Sequence, residues 1–310
     1  MKRLGILLLT ILLGSFLSTA SEKFRFVEDS KAGTLTVWEG PTMVLSYRFQ
    51  DQLKEGLDKT QTRSCYIHPL YSCDGQILTD DFTDDHPHHH GIFWTWPVVR
   101  TRGQTTQTWH PANLRQFFVR WIDRNAESHP AVISLENAWK LDGKEVVALE
   151  TVTLHIYPAT DDSRMIDVKL RIQAIGGPLE LQGAQDAGKG YGGLSFRGAP
   201  LFTGKIVTSD KGPLKGDINN TEFLWTDLST ERLGLAIFVA PDHPDFPVKW
   251  ITRNSYAGFL NPSWPGLDAA VLEPDKPVTL RYRIYIHAGD AASANVSKAY
   301  QNYILSFQKD

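Results

Sequence analysis

The chain has 310 residues and a formal net charge of −3 at pH 7. No segment is basic enough to follow a phosphate backbone, so nucleic acid is not an expected partner. The length suits one large β domain or two ordinary domains. Because no low-complexity linker divides the sequence, we predict a single domain over residues 21–310.

The N-terminus predicts a signal peptide over residues 1–20. Lys2 and Arg3 precede an apolar run at 4–17, and residues 18–20 fit a small-residue cleavage site. The run is about fourteen residues long, shorter than the ~20 that span a bilayer, and no later segment is apolar enough to do so. We therefore expect a mature chain without a transmembrane span, located in the periplasm or secreted.

Short runs of alternating apolar and polar residues predict β-strands along most of the chain. Their period of two and their β-branched content are typical of half-buried strands. The clearest runs cover 34–38, 146–157, 165–172 and 278–287, whereas a helical pattern stands out only from Ala291 to Phe307. We predict an all-β fold, a large antiparallel β-sandwich with a short C-terminal helix, because each sheet must bury its apolar face against another.

Two cysteines, Cys65 and Cys73, follow the predicted signal peptide. In an exported protein they could form a disulfide that closes one short loop. The alternative is a pair of buried thiols, and the sequence does not choose between them because it gives no distance between the sulfur atoms.

The segment 79–96 has the most informative composition, with four imidazoles and four carboxylates beside two indoles. Imidazole exchanges protons near neutral pH and is the commonest metal ligand, so the segment predicts a reaction site. If it is extended, His86, His88 and His90 point to one face of it. Three interpretations are open: a divalent metal at these histidines, metal-free acid–base chemistry with carboxylate partners, and a polar loop.

A metal centre would need a further ligand, for which the candidates are His68, Asp81, Asp85, His110 and His243. In the metal-free interpretation, Asp84 or Asp85 holds an imidazole in one tautomer. No cofactor is therefore certain, and a divalent metal is one of the alternatives.

Two further segments have the composition of ligand loops. Asp242 and His243 lie between prolines after an apolar strand, which predicts a stiff loop. The glycine-rich run at 188–197 permits close backbone approach, and Lys189 and Tyr191 in it could donate to a ligand oxygen. Both segments are also compatible with ordinary turns.

Nine tryptophans, several of them near these polar segments, match the side chains that bind carbohydrates. The C–H face of a sugar ring packs on an indole, while its hydroxyl groups need paired donors and acceptors. Tryptophan is also a normal core residue of large sandwiches, so packing is the alternative for each of them.

Several motifs together resemble the family labelled PmoA family or DUF6807. They lie at 66–71, 78–82, 85–94, 188–197, 242–244, 261–262 and 280–283. The resemblance covers nearly the whole mature chain and implies a bacterial, often exported protein. The label borrows the name of a methane monooxygenase subunit, a membrane protein that needs several spanning helices, and this sequence offers none after its signal. A looser similarity to the galactose-mutarotase-like supersandwich implies histidines and carboxylates on a concave sheet face.

We therefore predict an exported carbohydrate-processing enzyme of the epimerase or β-eliminating lyase type, with a small-molecule or oligosaccharide ligand. The alternatives are a non-catalytic glycan-binding envelope protein and a metal-dependent hydrolase or oxygenase. The predicted catalytic residues are His68, Asp85, His86, His88 and His243. The predicted substrate-binding residues are Asp81, Trp94, Trp96, Lys189, Tyr191, Asp242, Arg253, Asn254, Asn261 and Trp264.

Overall fold

The structure is a computed structural model that describes residues 23–110 and 112–308, so the predicted signal peptide lies outside the described residues. In this part of the chain there are 22 β-strands and one α-helix. The strands are β1 Phe24–Asp29, β2 Thr34–Glu39, β3 Thr42–Arg48, β4 Tyr66–Leu70, β5 Ile92–Thr95, β6 Val98–Thr101, β7 Gln104–Thr106, β8 Leu114–Asn125, β9 Ala131–Leu141, β10 Glu145–Ile156, β11 Ser163–Ala174, β12 Leu179–Gln182, β13 Gly193–Arg197, β14 Val207–Ser209, β15 Gly212–Pro213, β16 Ile218–Glu222, β17 Trp225–Ser229, β18 Leu233–Val239, β19 Lys249–Arg253, β20 Phe259–Ser263, β21 Ala269–Leu272 and β22 Val278–Ala288.

The strands form three antiparallel sheets. Sheet I has nine strands in the order β1-β2-β3-β4-β5-β13-β20-β19-β16. Sheet II also has nine, in the order β15-β14-β17-β18-β22-β11-β10-β9-β8, and sheet III has four, in the order β21-β12-β6-β7. The four clearest sequence runs correspond to β2, β10, β11 and β22, and the prediction of an all-β antiparallel sandwich is confirmed.

One hydrophobic core lies between sheets I and II. It contains inward side chains of both sheets, such as Val37 and Trp94 from sheet I and Leu154, Ile172 and Leu280 from sheet II, each almost completely buried. In β11 the burial alternates at every residue, so most of the strand's polar side chains face outward, while Arg164 is buried and pairs with Glu39. Burial of one face of each long strand is what the alternating sequence pattern requires.

The C-terminal helix α1 covers Val296–Ser306 and packs on the outer face of sheet II. The sequence predicted this helix, but the predicted start near Ala291 is wrong, because the helix begins at Val296. Asp290 instead accepts from the backbone N–H of Ser293 at 2.8 Å in a turn, and Asn295 has a φ of 50°, so the chain becomes helical only after it. No helix in 23–110 or 112–308 is long and apolar enough to cross a membrane.

The two cysteines are both free thiols. Cys65 is buried and Cys73 is partly buried. Of the two alternatives, a disulfide or a pair of thiols, the structure therefore has the pair of thiols. Burial raises the pKa of the Cys65 thiol, which keeps it protonated and unreactive at neutral pH.

Candidate functional site

Alternation along sheet I gives this sheet a second apolar surface. Neighbouring residues of a strand point to opposite faces, so where Trp94 enters the core, Phe93 lies on the outer face. The same holds for Ile251 beside the core residue Trp250 and for Phe259 beside Leu260. Buried apolar side chains, aromatic except for Ile251, therefore cover the outer face of sheet I across β4, β5, β20 and β19.

The histidine segment packs onto this outer face and is folded by turns, so it is not extended, which was the condition for His86, His88 and His90 to share one face. The backbone N–H of His86 donates to the carbonyl of Thr83 at 3.2 Å, and that of His89 donates to the carbonyl of His86 at 2.8 Å. The turns remove the alternation on which the prediction relied. His86 and His88 consequently face one pocket together with His89, while His90 points elsewhere.

A pocket of about 130 Å³ lies between this segment and three other parts of the chain. Side chains that are far apart in sequence converge there, from the histidine segment, the loop before β8, the glycine-rich loop and β19–β20. The lining residues are His86, His88, His89, Trp109, Lys189, Tyr191, Ile251, Arg253, Tyr256 and Phe259. The pocket thus brings together five residues predicted from the sequence: His86, His88, Lys189, Tyr191 and Arg253.

His86 is a partly exposed imidazole of this pocket and has a carboxylate beside it. Its Nδ1 lies 3.0 Å from Oδ2 of Asp85, and 36% of its side chain is exposed. Nη2 of Arg197 donates to both oxygens of Asp85, at 2.8 and 3.0 Å. Burial opposes ionisation of Asp85, but Thr83, His86 and Arg197 together hold its pKa well below its ordinary value. Asp85 is therefore ionised at neutral pH and lies beside Nδ1 of His86, which has no hydrogen-bond partner within the described chain.

The other imidazoles of the pocket are held neutral. Burial, with the nearby charges of His110, His86 and Arg63, lowers the pKa of His88 to about 3. Burial also lowers the pKa of His89 well below its ordinary value, and its ring stacks on that of His86 with 4.6 Å between centroids. Neutral imidazoles can donate and accept hydrogen bonds, but with pKa values this low they are weak bases at pH 7.

Three predicted residues lie together in a neighbouring cluster. His90 is fully buried, and its Nδ1 is 2.6 Å from Oδ1 of Asp81, whose Oδ2 accepts from the Tyr66 hydroxyl at 2.9 Å. His68 is close to Asp81 in the same cluster, and its Nδ1 is 3.0 Å from Oγ1 of Thr79. Burial lowers the pKa of His68 and lowers that of His90 to about 4. These side chains lie outside the pocket lining, and they anchor the histidine segment to β4.

The metal hypothesis placed a possible divalent ion at His86, His88 and His90, with a further ligand from elsewhere in the chain. The structure separates His90 from the other two, because it pairs with Asp81. Across 23–110 and 112–308, no group of three or more His, Cys, Asp or Glu side chains is arranged to hold a metal ion. The residues described thus do not form the predicted ligand set.

Two predicted asparagines position loops of the site. Nδ2 of Asn261 donates to the carbonyls of Gly192 and Leu194 at 3.1 and 2.7 Å, and its Oδ1 accepts from the Gly192 N–H at 3.2 Å. Asn254 binds backbone groups of the 207–216 region in the same way, and its Oδ1 accepts from the Val207 N–H at 3.1 Å. Both amides are occupied by the backbone and hold the chain near the pocket.

The predicted tryptophans are core residues. Trp94, Trp96 and Trp264 are each at most 2% exposed. Nε1 of Trp96 donates to the carbonyl of Trp264 at 2.8 Å, and Nε1 of Trp264 donates to Oδ2 of Asp245 at 3.1 Å. These three indoles therefore pack in the core and do not line the pocket. Trp109 is the tryptophan among the lining residues.

Asp242 and His243 also lie away from the pocket lining. Nε2 of His243 is 2.8 Å from the Tyr282 hydroxyl, and its Nδ1 is 2.6 Å from the Pro244 carbonyl. Burial lowers the pKa of His243 to about 4, so the ring is neutral. Asp242 forms an ion pair with Arg281. Both side chains have partners in β22 and hold the loop against that strand.

Five lining residues were missing from the predicted set: His89, Trp109, Ile251, Tyr256 and Phe259. Trp109 packs against Tyr191 with 4.6 Å between ring centroids, and Tyr256 lies 4.4 Å from the Arg197 guanidinium. Burial raises the pKa of Tyr256 to about 12, so its hydroxyl is a neutral donor. Strand alternation could have identified Phe259, because it is next to the core residue Leu260.

Comparisons with solved structures find resemblance in architecture at low identity. A putative aldose 1-epimerase from Klebsiella pneumoniae has a TM-score of 0.41 at 11% identity, with 93% of this chain and 89% of that chain covered. The GalM/aldose epimerase homologue from C. elegans has a TM-score of 0.36 at 9% identity, with 86% and 99% covered. The GH36 alpha-galactosidase AgaA from Geobacillus stearothermophilus has a TM-score of 0.39 at 10% identity; 88% of this chain matches only 42% of the galactosidase. No functional conclusion follows from scores this low.

No curated protein matches the chain. The model of one family does match, and it is described as a family of unknown function, DUF6807. The match runs over residues 35–301, nearly the whole of the described chain. It confirms the DUF6807 part of the resemblance and gives no support to the PmoA label. The chain belongs to DUF6807, a family of unknown function.

Proposed function

We propose that this protein is an exported carbohydrate-processing enzyme that transfers protons with His86 and Asp85, as an epimerase or a β-eliminating lyase does. The observation that carries the proposal is the convergence in one pocket of the partly exposed His86 imidazole, two cationic donors and four aromatic rings, with the Asp85 carboxylate next to His86 outside the lining. These groups come from four separate segments, so the fold assembles them. Perturbed titratable groups that share a pocket with ligand-binding side chains are typical of active sites.

The proton transfer is assigned to His86 because of its surroundings. An ionised Asp85 next to Nδ1 favours the tautomer that carries the proton on Nδ1, which leaves the lone pair of Nε2 available to a substrate. After Nε2 takes a proton, the same carboxylate stabilises the resulting imidazolium. Arg197 keeps Asp85 in place and ionised, so it is a positioning residue for the pair.

The aromatic rings of the pocket suit the apolar faces of a sugar. Trp109, Tyr191, Tyr256 and Phe259 offer surfaces on which C–H groups can pack. Lys189 and Arg253 supply N–H donors for oxygens, and the neutral His88 and His89 can both donate and accept. A ligand with alternating hydroxyl groups and C–H faces uses both kinds of surface.

A non-catalytic glycan-binding protein is the second candidate, and one observation favours it. Two of the three imidazoles that line the pocket have strongly lowered pKa values, so at neutral pH they serve recognition better than proton transfer. The two candidates differ in whether a bound sugar exchanges a proton. They share the same pocket and the same residues.

The test is proton exchange by the wild-type protein, His86→Gln and His129→Gln. Glutamine keeps hydrogen bonding but cannot act as a base, and His129 is an exposed histidine outside the pocket, which makes it the matched control. The assay screens oligosaccharides in D2O and follows turnover and deuterium incorporation by proton NMR. We expect His86→Gln to lose about 10²- to 10⁴-fold in kcat while the control keeps full activity.

Unchanged turnover in His86→Gln would disprove the catalytic assignment. A wild-type protein that binds oligosaccharides in calorimetry without any exchange or turnover would instead establish the glycan-binding candidate.

A further inference from the structure

The charged side chains that line the pocket are cationic. Lys189 and Arg253 line it, and no Asp or Glu of the described chain is among the lining residues. Each cation has a carboxylate partner that is not a lining residue: Asp186 is 2.7 Å from Nζ of Lys189, and Asp217 is 3.9 Å from Nε of Arg253. A ligand in the pocket therefore meets the cationic member of each pair.

The Arg253 guanidinium is fixed in place before any ligand binds. Its Nη1 donates to the carbonyls of Ile218 and Thr252, both at 2.9 Å, and its Nη2 donates to Oδ1 of Asn219 at 2.8 Å. Guanidinium has five N–H donors, so these three bonds leave donors for a ligand. Lys189 has three donors and within the described chain uses one of them, for Asp186.

Two other cations lie near the imidazoles of the pocket. Arg63 is among the groups that lower the pKa of His88, and Arg197 is among those that lower the pKa of His89, although burial is the largest cause for both rings. Arg197 is paired with Asp85, so the charged side chains that line the pocket remain Lys189 and Arg253. These two cations complement a ligand that brings negative charge.

We infer that the ligand of this pocket is a sugar that carries a carboxylate, as a uronic acid does, and that Lys189 and Arg253 bind this carboxylate. The inference rests on the proposed function, since it names the substrate class of the same site. Guanidinium and ammonium groups form charge-assisted hydrogen bonds with carboxylates, which are stronger than those with hydroxyl groups. Neutral aldoses would leave both cations without a counterion from the ligand.

The experiment is calorimetry with D-glucuronate and D-galacturonate, each against its neutral counterpart, D-glucose or D-galactose. The proteins are the wild type, Lys189→Gln and Arg253→Lys, with Lys144→Gln as the control because Lys144 is exposed in the β9–β10 turn, outside the pocket. We expect at least one uronate to bind about tenfold more tightly than its aldose. Lys189→Gln should weaken uronate binding about three- to tenfold, and 0.3 M salt should weaken it further.

Arg253→Lys keeps the charge but loses the planar fork, so it should also weaken uronate binding while neutral sugars are unaffected. Equal or tighter binding of the aldoses, or uronate binding that Lys189→Gln and Arg253→Lys leave unchanged, would overturn the inference. That result would leave the proposed function standing if turnover still depends on His86. If uronates bind selectively but turnover is unchanged in His86→Gln, the inference is supported and the catalytic proposal is overturned. If no sugar binds at all, both are overturned.

Discussion

At the residue scale, the ten histidines of the chain have different roles because their surroundings differ. His86 is partly exposed beside a carboxylate, whereas His88 and His243 are held neutral by burial. Composition alone could locate the cluster at 86–90, but it could not predict which of its imidazoles have lowered pKa values. Those pKa values depend on burial and on the position of charged neighbours such as Arg63 and Arg197, which come from distant parts of the chain.

Stability should depend on pH because of these neutral rings. In the unfolded chain a histidine titrates near 6.5, while the folded protein lowers the pKa of His88 to about 3 and that of His243 to about 4. The unfolded state therefore binds more protons below that pH. The stabilisation is complete above about pH 6.5 and decreases as the pH falls towards 4, by at most about 1.4 kcal/mol per pH unit for each ring.

Urea titrations between pH 7.5 and 4.5 measure this slope as a change in the free energy of unfolding. His88→Gln should make the slope smaller, since glutamine does not titrate, whereas His129→Gln removes an exposed ring and should leave it as in the wild type. A free energy of unfolding that stays constant over this range would show that the rings are accessible to protons in the folded state.

At the scale of elements, strands were predictable and the loops that form the site were not. Alternation identified β2, β10, β11 and β22, because an antiparallel strand with one buried face must alternate. The segment at 79–91 has no such constraint. Its turns depend on contacts such as that of His90 with Asp81, so an assumption of extended backbone gave the wrong grouping of histidines. The same limit applies to Tyr256, which reaches the pocket from the β19–β20 loop.

The glycine-rich loop should depend on Asn261. In Asn261→Leu, the carbonyls of Gly192 and Leu194 and the N–H of Gly192 lose their side-chain partner in a buried place. We expect a loss of about 1–3 kcal/mol in the free energy of unfolding, because unsatisfied buried polar groups cost that much. Ligand binding should weaken as well, since Lys189 and Tyr191 are part of this loop.

The matched control is Asn302→Leu, the same substitution at an exposed position of helix α1. Surface changes of this kind usually stay within about 0.5 kcal/mol. Both variants can be compared by urea unfolding and by calorimetry with the ligand found for the wild type. Equal stabilities would mean that the loop keeps its conformation without the asparagine.

At the scale of the whole molecule, a single buried carboxylate joins strands of both large sheets. Glu150 of β10 is fully buried and accepts from Nδ2 of Asn137 at 2.8 Å, from Nε1 of Trp139 at 3.0 Å and from Nε2 of Gln116 at 3.1 Å. Nε2 of Gln116 also contacts the carbonyl of Trp94 in sheet I at 3.3 Å. Alternation along β10 places Glu150 on the buried face, but its partners lie in β8 and β9 and could not be identified from the sequence.

Replacement of Glu150 by glutamine should destabilise the sandwich although the two side chains have nearly the same shape. Burial raises the pKa of Glu150, and the N–H donors oppose this effect by stabilising the carboxylate. Glutamine has one acceptor oxygen where the carboxylate has two, and its amide N–H groups would face the donors of Asn137, Trp139 or Gln116. We expect a loss of about 2–4 kcal/mol in the free energy of unfolding, measured by urea titration.

Glu145→Gln is the control on the same strand. Glu145 is about half exposed and pairs with Arg102 at 2.6 Å, and exposed ion pairs contribute less than about 1 kcal/mol. If Glu150→Gln unfolded at the same urea concentration as Glu145→Gln, the two sheets would be held by apolar packing alone. We expect Glu150→Gln to lose more free energy of unfolding than Glu145→Gln. If its pocket still binds ligand at urea concentrations just below the unfolding transition, the core network contributes to stability and not to ligand binding.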